Sequence, residues 1–226
     1  MFGLDWVDAL GAATVALAVG FALPQLLRLW HDGTAAGLSL AALGNGIVSE
    51  VAWTGYAIHL GDRWVLAATL VAAPGALAML LLGWRAGADR AMSWLPIAWA
   101  AVIVAAVAVE VLTHRDVLAF VLGGSFLWSV VPAVTTAWRS PDVSGIAAVA
   151  WWVVLAEGVL WLGYGLMSGV WATVVSSMVC FAGAFGILGR LALERMPTLR
   201  AVVLSRSVVG WTAWDDAELD RLLDTA

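Results

Sequence analysis

Charge is scarce in this chain of 226 residues: Asp, Glu, Lys and Arg together make up 12% of it, where a soluble domain carries roughly 25%. That little charge cannot cover the surface of a soluble globule of this size. The 63% of hydrophobic residues and a mean hydropathy of +0.95 exclude a disordered chain. Lysine is absent, all 11 basic residues being Arg, so no Schiff-base lysine can form and retinal proteins are excluded. The single cysteine, Cys180, leaves no internal disulfide and no cysteine-based metal cluster. His31, His59 and His114 lie far apart, without metal-ligand spacing. Gly-rich phosphate motifs are missing, and Gly123-Gly124-Ser125 has no helical His to serve as base for a serine nucleophile. No enzyme activity, cofactor, metal or nucleic-acid partner is expected; the lipid bilayer is.

What is present is a series of long apolar runs. A helical span needs about 20 apolar residues, and seven such segments are predicted near residues 7–28, 37–59, 64–84, 94–113, 117–138, 144–166 and 171–190. Their breaks carry turn chemistry, as in His31-Asp32-Gly33, Gly61-Asp62-Arg63 and Ser140-Pro141-Asp142. Asp5 and Asp8 precede the first run without a basic region, which predicts a retained helix rather than a cleaved signal peptide. Arg28, Arg85, Arg90 and Arg139 fall in the loops of one side together with the arginines of the C-terminal tail; Arg63 and Arg115 fall on the other. Basic loops stay in the cytoplasm, so the pattern predicts an integral protein of the cell membrane with its N-terminus outside and its C-terminus cytoplasmic. The tail, 191–226, has soluble character. Thr212 and Asp215 open a candidate short amphipathic helix in it.

The chain also repeats itself. A shift of 108 positions brings Pro24 onto Pro132, Trp30 onto Trp138, Gly37 onto Gly145, Trp53 onto Trp161, Gly55 onto Gly163 and Tyr56 onto Tyr164. Rare residues in register are not explained by shared hydrophobicity. The repeat covers helices one to three (6–84) and five to seven (117–190), with the fourth helix (93–113) between them. Three spans reverse the chain's side and the fourth restores it, so the two units come out parallel, with a site between them at mid-membrane. The predicted fold class is therefore an all-α polytopic membrane protein built as 3+1+3 helices.

Pro24-Gln25, Gly37-Leu38-Ser39 and Trp53-Thr54-Gly55-Tyr56, with Pro132-Ala133, Val143-Ser144-Gly145 and Trp161-Leu162-Gly163-Tyr164-Gly165 in the second copy, resemble the PQ-loop/SWEET transporter superfamily over about residues 6–190. In both copies Trp follows Pro by 29 residues. The resemblance implies a small polar solute carrier working by alternating access. Pro24 and Pro132 would serve as hinges, Gln25 would complete the PQ pair opposite Ala133, and Tyr56, Tyr164 and Asp62 would be elements of an outer gate. Trp53 and Trp161 would face each other across the solute. In sugar-transporting members an asparagine follows that tryptophan by about sixteen positions; Thr69 and Ser177 stand there, offering hydroxyls instead of amides. The superfamily also includes amino-acid carriers and sorting receptors. Two linked repeats already supply one pathway, so no oligomer is required, although a homo-oligomer is compatible with the family.

A helical wheel adds the polar set. At about 100° per residue, Ser49, Tyr56 and Asn45 lie within roughly 80° of Trp53 on one stripe, and Glu157 takes the place in the second copy that Ser49 has in the first. Glu50 lies about 60° to the other side of Trp53. An ionisable group at bilayer depth is costly and marks a functional site. Glu157, and after it Glu50, are therefore candidate proton- or cation-coupling groups. Three readings stay open: a sugar-like solute facilitator, a proton-coupled amino-acid or metabolite carrier, and a heptahelical receptor that binds without transporting.

Overall fold

A computed structural model describes residues 5–196, all-helical with one isolated bridge between extended segments. The amphipathic helix expected near Thr212 lies outside the described residues. Eight helices follow in order: α1 (Trp6–Asp32), α2 (Leu40–Leu60), α3 (Arg63–Arg85), α4 (Leu95–Thr113), α5 (Val117–Gly123), α6 (Leu127–Arg139), α7 (Ala148–Ser168) and α8 (Trp171–Glu194). The chain divides into two compact units, 1–188 and 189–226. In the described part of the second, Arg190 pairs with Glu194 one turn on.

Caps mark the helix starts where the sequence offers them. The Asp5 carboxylate accepts from Val7 N (3.0 Å), Ser39 Oγ from Ala42 N (3.3 Å), and Asp62 Oδ1 from both Trp64 N and Val65 N (3.0 Å each). Each satisfies amides that a helix start leaves without an internal partner. Asp116 gives no such cap to α5, and Glu110 reaches over from α4 to accept from Leu118 N at 2.7 Å.

Among the described residues six stretches are long and apolar enough to cross a membrane: α1, α3, α4, α5 with α6, α7 and α8. They mark a membrane-embedded chain. The seventh expected span, α2, has the length, at 21 residues, and falls short in apolarity because it carries Asn45, Ser49, Glu50, Thr54 and His59. It packs on α3, α4, α5 and α6; Asn45 and Ser49 are buried in these contacts, and His59 near its end is exposed. The fifth expected helix is broken where Gly124, Ser125 and Phe126 form tight turns between α5 and α6. Large side chains such as Ile97, Val104, Leu112 and Phe120 are more than half exposed. On a soluble protein so much exposed apolar surface would form an association patch; here it is the surface that lipid covers.

Helix contacts are close because small residues line them, as expected where packing rather than water exclusion drives association. α3 packs on α1 and α2, α1 on α7, and α2 on α6. α8 lies against α6, with Gly183 facing Val130 and Gly186 facing Val134, and against α7, with Gly158 facing Phe181. An apolar cluster around Trp53, Tyr56, Val65, Leu122, Tyr164 and Ala172 closes one end of this bundle.

Candidate functional site

A cavity of about 250 Å³ runs through the middle of the first unit, walled by α1, α2, α3, α6, α7 and α8. Trp53, Trp161, Thr69, Ser177, Ser49, Glu50, Glu157 and Gln25 all line it. Glu50 and Glu157 sit at the middle turns of their 21-residue helices. Glu157 Oε1 lies 3.4 Å from Trp161 Nε1, which donates to it; among the described residues no group donates to the Glu50 carboxyl. Among the described residues no Arg or His belongs to the wall.

The two tryptophans are held alike. Trp53 meets Tyr56 edge to face at 5.8 Å, and Trp161 meets Tyr164 edge to face at 5.6 Å, the arrangement the ring quadrupoles favour. Their indole N–H groups differ: Trp53 donates to Ser125 Oγ at 3.0 Å, and Trp161 to Glu157. Thr69 Oγ1 bonds Leu66 O (3.1 Å) and lies 2.9 Å from Thr54 Oγ1; Ser177 Oγ donates to Thr173 O at 2.7 Å. Ser49 Oγ accepts from Trp99 Nε1 at 3.0 Å, and the Trp99 ring stacks on Trp128.

Asn45 does not reach the cavity. Its side chain is fully buried and its amide donates to the carbonyl of Trp128. That carbonyl is the one left without a helical donor by Pro132, four residues on. A proline in one helix is thus matched by an amide in another, as a helix break inside a bundle requires.

The cavity's two ends are tied by contacts between the early and late parts of the chain. At one end Gln25 grips the segment before α7 like a short strand pair: its Nε2 donates to Gly145 O (2.8 Å) and its Oε1 accepts from Ala147 N (2.9 Å). Arg28 Nε adds a bond to Ser144 O (2.7 Å), and Gly145 N donates to Ala36 O (3.1 Å). A Cβ on Gly145 would stand 2.5 Å from Ala36 N, so only glycine allows this approach. The matching segment before α2 is held otherwise. Leu40 N donates to Asp89 O (2.8 Å), Asp89 N to Leu38 O (2.9 Å), and Thr136 Oγ1 to Asp89 Oδ2 (3.2 Å). Asp89 therefore holds the segment before α2, where Ala133, at the position 108 residues after Gln25, has no amide to offer. At the other end Tyr164 Oη donates to Asp62 Oδ2 at 2.7 Å, while Arg63 bridges to Asp8 and Trp64 Nε1 donates to Asp8 at 2.7 Å. Tyr56 is buried against Trp53 at that end. Pro24 lies within α1 one residue before Gln25.

Several of these residues carry no mark in the sequence. Trp99 and Ser125 lie inside the fourth and fifth expected helices, and Asp89 in a loop. Cys180 and Ser176, also on the wall, are ordinary residues of an apolar helix. Only the 108-residue register could have pointed to them, since Ala72 and Ala68 are their partners.

Comparison with protein-family models, with curated proteins and with solved structures gives no match to this chain.

Proposed function

We propose that this protein is a small-solute carrier of the PQ-loop/SWEET type, working by alternating access between two parallel three-helix units joined by α4. The observation that carries the reading is the composition of the cavity wall. It maps onto itself under the 108-residue shift: Trp53 with Trp161, Ser49 with Glu157, Leu38 with Ile146, Ala42 with Ala150, Thr69 with Ser177, Ala72 with Cys180 and Met79 with Ile187. Each unit thus supplies one half of one site. The contacts of α3 with α1 and α2, and of α8 with α6 and α7, support equivalent units.

Two ties close the two ends, and each joins one unit to the other: Gln25 with Gly145 and Ala147, and Tyr164 with Asp62. Releasing one while keeping the other opens the cavity to one side only, which is what alternating access requires. Pro24 and Pro132 each remove a helical hydrogen bond near the Gln25 end and are suited to hinge motion. The arginine-rich loops support a cytoplasmic Gln25 end and an outer Asp62 end.

Glu50 and Glu157 favour a second feature, ion coupling. Both line the site at mid-helix, and a carboxyl that loads and releases a proton as the cavity switches sides links solute flux to the proton gradient. Reconstituted protein in proteoliposomes tests the proposal with a panel of labelled sugars, amino acids and amines. Accumulation of one of them supports a carrier; saturable binding without flux supports a receptor instead.

A further inference from the structure

Several polar groups of the cavity wall already have donors in use. Thr69, Ser176 and Ser177 donate to carbonyls of their own helices, at 3.1, 3.0 and 2.7 Å, and Thr173 to the carbonyl of Val170 just before α8, at 2.8 Å. The indole N–H groups of Trp53 and Trp161 are engaged as well. Gln25, the carboxamide of the wall, has both its ends on the backbone of the segment before α7. What such groups still present to the cavity is oxygen lone pairs and aromatic faces.

To these the wall adds two carboxyls from opposite units, Glu50 from α2 and Glu157 from α7, with no cationic side chain among the lining residues. Glu50 is left without a donor among the described residues although it lies deep in the bundle. The wall facing both acids from α3, α6 and α8 carries hydroxyl, thiol and apolar groups only. An ammonium is the complement of such a surface, since it brings three donors and no acceptor and is drawn to the faces of indoles. A sugar brings no charge to pair with the two carboxyls. A zwitterionic amino acid would bring a carboxylate to a wall that offers it no cation.

We infer that the cavity takes an organic cation, a protonated amine with an apolar or aromatic body, held by Glu50 and Glu157 and by the faces of Trp53 and Trp161. The inference rests on reading the cavity as the solute site and names the solute's class. An amine that sheds its charge, or a neutral isostere, loses the contacts the site is built to make.

Cys180 provides the test. It is the chain's single cysteine and lines the cavity. Purified full-length protein is treated with three methanethiosulfonates carrying a 2-ammonioethyl, a methyl or a 2-sulfonatoethyl group, from pH 6 to 9. Rates are divided by those of the same reagents with a free small thiol. The expected order is cation, neutral, anion, with the cation at least tenfold ahead of the neutral reagent once the carboxyls are ionised. The preference falls to about one in the double variant Glu50→Gln/Glu157→Gln and persists in Glu157→Asp. Phenethylammonium slows the labelling, and 2-phenylethanol, glucose and phenylalanine do not. Collapse of the fold would speed all three reagents together, so it is told apart from loss of charge selectivity. Equal normalised rates at every pH, or protection by glucose and not by phenethylammonium, overturn the inference even if uptake of another solute establishes a carrier. Protection by phenethylammonium without its uptake into proteoliposomes upholds the inference and overturns the carrier.

Discussion

Replacing Gln25 by Ala removes the clip at one end of the cavity and leaves the backbone carbonyl of Gly145 and the amide of Ala147 without partners. Gln25 is buried, at 5% exposure, and a buried backbone group stripped of its partner costs about 1–3 kcal/mol. Two such groups would favour an opened end by roughly 2–6 kcal/mol. The lower limit applies, because Gln25 borders the cavity and water there can take over part of the bonding. About 2 kcal/mol raises the open population about 30-fold. The bond from Arg28 to Ser144 O remains in the variant and keeps the segment attached. Hydrogen exchange at single-amide resolution reads the effect. The informative amide is Gly145 N, which donates to Ala36 O and is not itself touched by the substitution. It should exchange about 30-fold faster in Gln25→Ala, together with Ala147, while amides in the middle of α3 keep their protection. Faster exchange at Ala147 with Gly145 unchanged would refute the idea that Gln25 holds the end shut, and reduce its role to a local bond.

Four further substitutions follow from the same contacts. Tyr164→Phe removes the 2.7 Å bond to Asp62 and leaves Asp62 capping α3; hydrogen bonds to charged groups contribute roughly 1.5–3 kcal/mol, so Cys180 should be labelled about tenfold faster with the unfolding temperature little changed. Asn45→Ala abandons the Trp128 carbonyl and should destabilise the protein by about 1–3 kcal/mol. In that background Pro132→Ala, which returns a helical N–H to the same carbonyl, should recover part of the loss; a double-mutant cycle of unfolding free energies with no coupling would contradict the pairing. Gly145→Ala places a Cβ against the Ala36 backbone and should cost about 1–3 kcal/mol, as overpacking does, seen as faster exchange at Leu38 and Ile146.

The helical segments were legible because a membrane span writes itself as a run of apolar residues; α1, α3, α4, α7 and α8 fall within a few residues of their expected bounds. The sequence also carried the in-register tryptophans and tyrosines whose paired rings recur in both halves. Two departures have local causes. α2 falls short in apolarity because it carries Asn45, Ser49 and Glu50, which meet other helices or the cavity, and the break between α5 and α6 depends on the turns at Gly124 and Ser125. The ties of Gln25 to Gly145, of Asn45 to Trp128 and of Tyr164 to Asp62 join residues 120, 83 and 102 positions apart. No local pattern encodes such a pairing, because it exists only once the helices are packed. The wheel placed Asn45 on the stripe of Trp53 and Ser49, yet a helix face about 80° wide spans both the cavity and the α6 contact.

The central claim, that one cavity opens alternately at two tied ends, is tested most directly at Cys180 in sealed vesicles of both orientations, with a membrane-impermeant thiol reagent. Wild-type protein should be labelled slowly from both sides. Gln25→Ala should speed labelling only from the side bearing the Gln25 end, and Tyr164→Phe only from the opposite side. Acceleration of both variants from the same side, or of neither from any side, would contradict the account.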